Sequence, residues 1–333
     1  MNKKEADHGP VLVPGGAGFI GSHLCGCLLE QGHEVIALDN FSTGHAGHVA
    51  HLRRHARFRL IEHDLTRPLP ALAARATRIF NLACPASPAY YQQHPVQTAL
   101  SSALGVWRLL ELVQTSGARL LQASTSEVYG DPQCHPQRED YHGHVNPVGP
   151  RACYDEGKRF AEALMISSLA ERPLSLRIAR LFNCYGPRLH EGDGRVVSNF
   201  IVQALRGEPI TIHGDGMQTR SLCYVDDTVA GLLRLMDSAV EGPVNLGNPV
   251  EVTVLELADR VLSLTGSRSP LVYLPRQPDD PRRRRPDISR ARAELDWRPG
   301  VSLDDGLRET VAYFRYRLDA GRRHFPMPVS SAA

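Results

Sequence analysis

Residues 11–24 read VLVPGGAGFIGSHL. A short apolar run enters a turn in which Gly15, Gly18 and Gly21 form G-x-x-G-x-x-G, and a helical pattern follows over 20–31. Glycines at this spacing permit a tight turn and let the backbone approach a pyrophosphate seated on the helix N-terminus. Such turns are common, so the context decides. Further buried-strand patterns fall at 35–38, 58–61, 78–82, 119–123 and 174–178, with helical patterns at 96–115 and 154–171. This alternation predicts an α/β fold: a Rossmann-type, doubly wound parallel sheet with helices on both faces. The rhythm breaks near Gly186 and Pro187. We expect residues 1–187 to form the dinucleotide-binding domain, and 188–333 a smaller, mixed α/β substrate-binding lobe interleaved with it.

Asp39 ends the second strand, 18 residues after Gly21. An acid there accepts the ribose hydroxyls of NAD and repels the extra phosphate of NADP; the alternative is an ordinary strand-end turn residue. Asp64 and Leu65 end the third strand, where an adenine edge would lie, although Asp64 is equally a helix cap.

Tyr154 and Lys158 give Y-x-x-x-K, and residues four apart share one helix face. The ammonium is expected to lower the phenol pKa, so that Tyr154 serves as base for a sugar hydroxyl and Lys158 also reaches the nicotinamide ribose. Of 38 basic residues only Lys3, Lys4 and Lys158 are lysine. A lysine kept in an arginine-rich chain suggests a task that a bulkier, forked guanidinium cannot perform; the alternative is a surface lysine. Ser124, Thr125, Ser126 and Glu127 follow the fifth strand, near the sheet end where ligands bind. They read either as hydroxyls and a carboxylate for the sugar or as a strand-end turn with a helix cap.

The formal net charge of +2 and a hydrophobic content of 42% exclude a global field for nucleic acid and supply a sizeable core. Residues 1–10 are polar and no stretch is long and apolar enough to span a bilayer, so we expect a soluble, cytoplasmic protein without a membrane partner. Seven cysteines, with no C-x-x-C, fit a reduced compartment rather than disulfides or a metal site. The arginine run 282–285 reads as a ligand loop, a solvated loop or a nucleic-acid contact, the last without supporting net charge.

Together these motifs resemble extended short-chain dehydrogenases/reductases, and residues 15–313 are similar to UDP-glucuronate decarboxylases (UDP-xylose synthases). The resemblance rests on GGAGFIGSHL (15–24), PASP (85–88), ASTSEVYGDP (123–132), HVNPVGPRACYDEGKR (144–159), DGRVVSNF (193–200), PVNLGNP (243–249) and DDPRRRRPDI (279–288). It implies that bound NAD takes a hydride from C4 of UDP-glucuronate while Tyr154 removes the C4 hydroxyl proton. The C4 ketone then holds the charge left when the C5 carboxylate departs as carbon dioxide. Reprotonation and return of the hydride give UDP-xylose, with no net use of NAD. Thr125 and Glu127 are expected to assist. Ser126 stands where related 4,6-dehydratases carry an acidic Asp, which argues against dehydration.

The resemblance further implies cofactor contacts at Gly15, Gly18, Phe19, Ile20, Gly21, Asp39, Asn40, Phe41, Thr43, Gly44, Asp64, Leu65, Leu82 and Ala83, besides Tyr154 and Lys158. Substrate contacts are implied at Ala86, Ser87, Glu127, Asn183, Arg195, Arg220, Tyr224 and Arg284, the last being the register's choice within the arginine run. The family's pairing through a four-helix interface implies a homodimer. Alternatives on the same scaffold are a UDP-glucuronate 4-epimerase and an enzyme that releases the 4-keto pentose; outside it, a non-catalytic NAD-binding protein.

The chain departs from the family at Pro14 for Thr, Leu100 for a lysine that reaches the cofactor, and Ser102 for an Asn that ties the active-site helix to its neighbouring strand. Cys84 for Ser and Asn81 for His are milder. Pro14 and Leu100 lead us to expect weaker NAD retention than in a typical member.

Overall fold

The computed structural model describes residues 9–276 and 283–324. Lys3, Lys4 and Arg282 lie outside them. The first strand, β1 (Val11–Pro14), leads into α1 (Phe19–Glu30), β2 (Val35–Asp39), β3 (Phe58–Glu62) and β4 (Arg78–Asn81). A short α2 (Pro88–Tyr91) precedes α3 (Pro95–Ser116), β5 (Arg119–Thr125), α4 (Ala152–Glu171) and β6 (Leu176–Leu181). Next come β7 (Cys184–Tyr185), α5 (Val196–Arg206), β8 (Ile210–His213), β9 (Thr219–Ser221), β10 (Cys223–Tyr224) and α6 (Val225–Asp237). The last elements are β11 (Pro243–Leu246), β12 (Glu251–Thr253), α7 (Val254–Thr265), β13 (Leu271–Leu274), α8 (Ser289–Leu295) and α9 (Leu303–His324).

The central sheet has seven strands in the order β11-β6-β5-β4-β1-β2-β3, and every pairing in it is parallel. Strand β1 shows why the apolar runs are continuous. Val11 and Val13 join the core cluster that contains Leu24 and Leu28 of α1, while Leu12 joins the cluster that contains Leu109 of α3 and Met165 of α4. Successive side chains point to opposite faces, and both faces are covered by helices, so a polar side chain in β1 would need a partner that the surrounding core does not offer. Helix α3 begins with Pro at its first turn and stops at Gly117, whose φ of +70° ends the helix in the left-handed conformation.

The order reverses between β1 and β4: β2 and β3 lie on one side, and β5, β6 and β11 on the other. A crevice therefore opens beyond the carboxyl ends of these two strands. The strand ends shift by one to three residues from expectation, β2 and β3 each running one residue further, to Asp39 and Glu62. Leu82 falls just after β4, whereas β5 runs on to Thr125 and β6 to Leu181. Cross-strand pairing of Thr125 with Leu181 extends both strands beyond their apolar runs.

From Cys184 onward the chain builds two-stranded pairs, β7 with β10, β8 with β13 and β9 with β12. It also returns to the main body, since β11 pairs with β6 of the central sheet. Among the described residues no helix is long and apolar enough to cross a membrane.

Candidate active site

A cavity of about 1230 Å³ lies at the carboxyl ends of β1, β2, β4, β5 and β6. Gly15 takes φ +79°, and a Cβ there would meet the Leu82 carbonyl at 2.7 Å, so only glycine lets the turn after β1 lie against the end of β4. Gly18 precedes α1 without any side-chain cap, and Gly18, Phe19, Ile20 and Gly21 line the cavity. The first N–H groups of a helix have no intrahelical acceptor, which makes this start an anion site.

Asp39 is buried, with its carboxylate accepting from the N–H of Ala17 and of Phe41, both at 2.9 Å. Burial raises its pKa, against the pull of these backbone bonds. Asp64 accepts from Asn40 and from Gln97, each at 3.2 Å. Burial alone would raise the Asp64 carboxyl, but bonds from Thr66 and Asn40 hold it below its ordinary value. Asn40, Thr43, Gly44, Leu65, Leu82 and Ala83 also line the cavity.

Tyr154 and Lys158 project from α4 into the same cavity as Thr125 at the end of β5. Tyr154 is 6% exposed and stacks on Tyr91, with ring centres 5.2 Å apart and planes inclined by 3°. Lys158 Nζ donates to the Ala123 carbonyl at 2.7 Å and lies 5.9 Å from the Tyr154 ring centre. The lowered phenol pKa expected from the ammonium is not found. Burial dominates and drives the phenol above its ordinary range, with Cys84 acting in the same sense and the bond with Thr125 opposing it.

Glu127 is clamped. Its Oε2 accepts from Arg151 Nη2 at 2.7 Å and from Arg284 Nη2 at 2.9 Å, and Arg284, 1% exposed, also donates to the Ser126 carbonyl. Burial would raise the Glu127 carboxyl, but Arg284, Arg151 and Arg220 hold it below the usual range. The adjacent Asp155 receives less: one oxygen is 3.8 Å from Arg151 Nε, and the other is buried without a hydrogen-bond partner among the described residues. Burial and the Glu127 charge push its pKa up to about 7. Within this cluster Asp155 therefore holds its proton to higher pH than Glu127 does.

Ala86, Ser87, Asn183, Arg195 and Arg220 complete the wall. Ser87 Oγ donates to the Asp193 carbonyl at 2.7 Å, and the fork of Arg195 is occupied by the Asp193 carboxylate. Of the arginines described in the run, Arg284 turns inward and Arg283 is exposed.

Phe41, Tyr224 and Leu100 stand apart from the cavity lining. Phe41 does not line the cavity: its φ of +55° accompanies the N–H bond to Asp39, and its ring packs on the core instead. Tyr224 is also absent from the wall, being buried edge-on against Tyr185 with ring centres 5.6 Å apart. Leu100 is 38% exposed and does not line the cavity, whereas Gln97 and Ser101 of the same helix do. Ser102 retains a tie to the end of β4, with its Oγ 3.3 Å from Cys84 Sγ.

The sequence reading missed Gln97, Arg151, Asp155 and Arg188. Arg151 carried a usable signal, since it precedes Tyr154 and Asp155 by three and four residues and so shares their face. Nothing local marked Arg188.

Comparison with known proteins agrees with this architecture. The model of the GDP-mannose 4,6 dehydratase family matches residues 12–310. UDP-glucuronic acid decarboxylase 1 of Danio rerio is 50% identical over 326 residues, 97% of this chain and 77% of that protein. UDP-glucuronic acid decarboxylase 3 of Arabidopsis thaliana is 50% identical over 313 residues, 94% of this chain and 91% of that protein. Among solved structures, the UDP-glucuronic acid 4-epimerase of Bacillus cereus, in complex with UDP-glucuronic acid and NAD, superposes with a TM-score of 0.84. It is 27% identical and covers 92% of this chain and 99% of its own. With half of its residues shared over nearly its whole length, the chain belongs to the family of UDP-glucuronic acid decarboxylases, within the group that the GDP-mannose 4,6 dehydratase model describes.

Proposed function

We propose that the chain decarboxylates UDP-glucuronate to UDP-xylose and carbon dioxide, using NAD that is regenerated in each cycle. One observation carries this reading: Thr125, Glu127, Tyr154, Lys158 and Arg284 line the same cavity as the glycine turn and Asp39. The residues present fit a dinucleotide. The glycine cradle admits no Cβ at position 15, the start of α1 is uncapped, and Asp39 ends β2 beside it. When bound, NAD supplies reversible hydride acceptance at C4 of the sugar, which places a ketone beta to the C5 carboxylate.

The chain's own residues do the rest. To take the proton from the C4 hydroxyl Tyr154 must reach that step as phenolate, which asks the positive charges of Lys158 and of bound NAD to offset the burial that raises its pKa; it later returns the proton. Lys158, fixed on the Ala123 carbonyl, orients the ribose and keeps positive charge close to Tyr154. The guanidinium of Arg220 gives the substrate carboxylate or diphosphate a charged partner, and Arg284, held by Glu127 and the Ser126 carbonyl, adds its positive charge to that wall. Residues 188–333 act as the lobe that covers the sugar nucleotide. The expected weaker NAD retention rests on Pro14, which lines the cavity, and on the lysine that Leu100 replaces.

A homodimer is part of the proposal. Leu100, Leu104 and Trp107 of α3 are 38%, 43% and 44% exposed at helical spacing, and Phe160 of the adjoining α4 is 51% exposed. An apolar face across two packed helices suits pairing with a second copy. We place the protein in the cytoplasm, in keeping with its seven free cysteines.

The test is incubation of the protein with NAD and UDP-glucuronate, followed by NMR of the sugar nucleotides. UDP-xylose without accumulating NADH is the expected result. A 4-epimer that keeps its carboxylate, or a released 4-keto pentose with stoichiometric NADH, would replace this reading with the corresponding alternative.

A further inference from the structure

Arg188 follows the Gly186-Pro187 break and takes φ +68°, a backbone conformation that L side chains rarely adopt. No hydrogen bond or ion pair holds its guanidinium among the described residues, yet the side chain is partly buried and lines the cavity. Its position relative to α1 is set through the residue before it. The preceding carbonyl, of Pro187, lies 2.9 Å from Nε2 of His23 in α1. Across the opening, His48 Nδ1 lies 3.1 Å from the Ala17 carbonyl, within the turn itself. Burial drives both imidazoles down to about 4, so at neutral pH neither adds a charge beside Arg188. The Arg188 guanidinium is itself lowered by burial, with Asp226 and Tyr313 acting in the opposite sense. Asp226 is 3.7 Å from His23 Nδ1. A strained backbone that delivers an unpaired, partly desolvated cation to a cavity wall is a cost that folding alone does not explain.

We propose that Arg188 is a diphosphate-binding residue of the dinucleotide site, closing over the pyrophosphate that the start of α1 receives. This inference rests on the NAD reading above. A pyrophosphate carries charge that the backbone N–H groups of the glycine turn solvate only through dipoles, whereas Arg188 brings a full charge and a bidentate fork. It also gives the site a hold on the cofactor that is independent of Pro14. The sugar nucleotide contains a second diphosphate, but the tie of Pro187 to α1 places Arg188 on the glycine-turn side of the cavity.

The experiment is calorimetric titration of the parent, Arg188→Gln and Arg188→Gly with NAD, with ADP-ribose and with UDP, each at low and high salt. A charge-assisted contact predicts that both variants lose about ten- to hundredfold in affinity for NAD and for ADP-ribose. UDP affinity should stay within about twofold of the parent, and the salt dependence of NAD binding should be shallower in the variants. Glycine tolerates the left-handed conformation, so Arg188→Gly should melt at or above the parent temperature while binding NAD poorly. That combination separates a ligand role from a structural one. NAD affinity within twofold of the parent in both variants overturns the proposal, as does a loss confined to UDP. A parent that binds UDP but no NAD overturns the functional reading and this inference together; a parent that binds NAD, with variants that bind it equally well, overturns only the inference.

Discussion

Replacing Asp155 by Asn should make this protein more stable above neutral pH, although it removes a charge from beside two arginines. The reason lies in how the cluster is shared. Glu127 takes the close contacts, at 2.7 and 2.9 Å, with Arg151 and Arg284. Asp155 is left with a 3.8 Å approach to Arg151 and one buried oxygen without a partner among the described residues. Its carboxyl is accordingly pushed from 3.8 up to about 7. Because the folded value lies above the unfolded one, the folded chain holds this proton more tightly. The associated loss of stability is absent below about pH 4, grows as pH rises toward 7 and is complete above it. At 1.36 kcal/mol for each tenfold change in proton affinity, ionising Asp155 in place costs about 4 kcal/mol. Relaxation around the site brings the expected net gain for the Asn variant to about 2 kcal/mol, or about 4 °C in melting temperature for a chain of this size. Thermal melts of parent and variant at a series of pH values from 5 to 8.5 provide the assay. The difference should be smaller at pH 5 than at pH 8.5 and widen in favour of Asn as pH rises. A variant less stable than the parent at pH 8.5, or a difference that does not change with pH, would refute the sharing argument.

Tyr154→Phe should abolish turnover while leaving NAD affinity within a few-fold of the parent; turnover within a few-fold of the parent would remove Tyr154 from proton transfer. Glu127→Gln leaves the charges of Arg151 and Arg284 without their shared carboxylate, so urea unfolding at pH 7.5 should show a loss of about 3 kcal/mol, and an unchanged midpoint would contradict the clamp. That difference should shrink at low pH, because the depressed Glu127 carboxyl contributes stability above its unfolded value and loses it as pH falls through the folded one. Trp107→Glu, on the exposed face of α3, should convert a dimer to a monomer in sedimentation, and an unaltered profile would move the proposed interface elsewhere. Extensive dialysis should strip NAD from the purified protein, and full stoichiometric retention would show that Pro14 does not weaken the site.

The sequence by itself determined the sheet and much of the cavity wall. Continuous apolar runs are what a strand buried on both faces requires, and the spacing of Gly15, Gly18 and Gly21 reports a turn where a Cβ has no room. Y-x-x-x-K likewise encodes its own geometry, because helical periodicity alone puts Tyr154 and Lys158 on one face. What tertiary structure alone decided were the long-range pairings and the electrostatics. Glu127 meets Arg284 across 157 positions of sequence, and no local pattern states which arginine of a run turns inward or how two acids divide two guanidiniums. The same holds for the Tyr154 phenol, whose pKa is set by burial among residues from several elements and not by the lysine one turn away. Tyr224 and Phe41 sit near the right motifs, yet packing against Tyr185 and a left-handed backbone direct them into the core. Position along the chain fixes which element a residue belongs to; its environment, and with it its charge state, depends on segments that sequence order keeps apart.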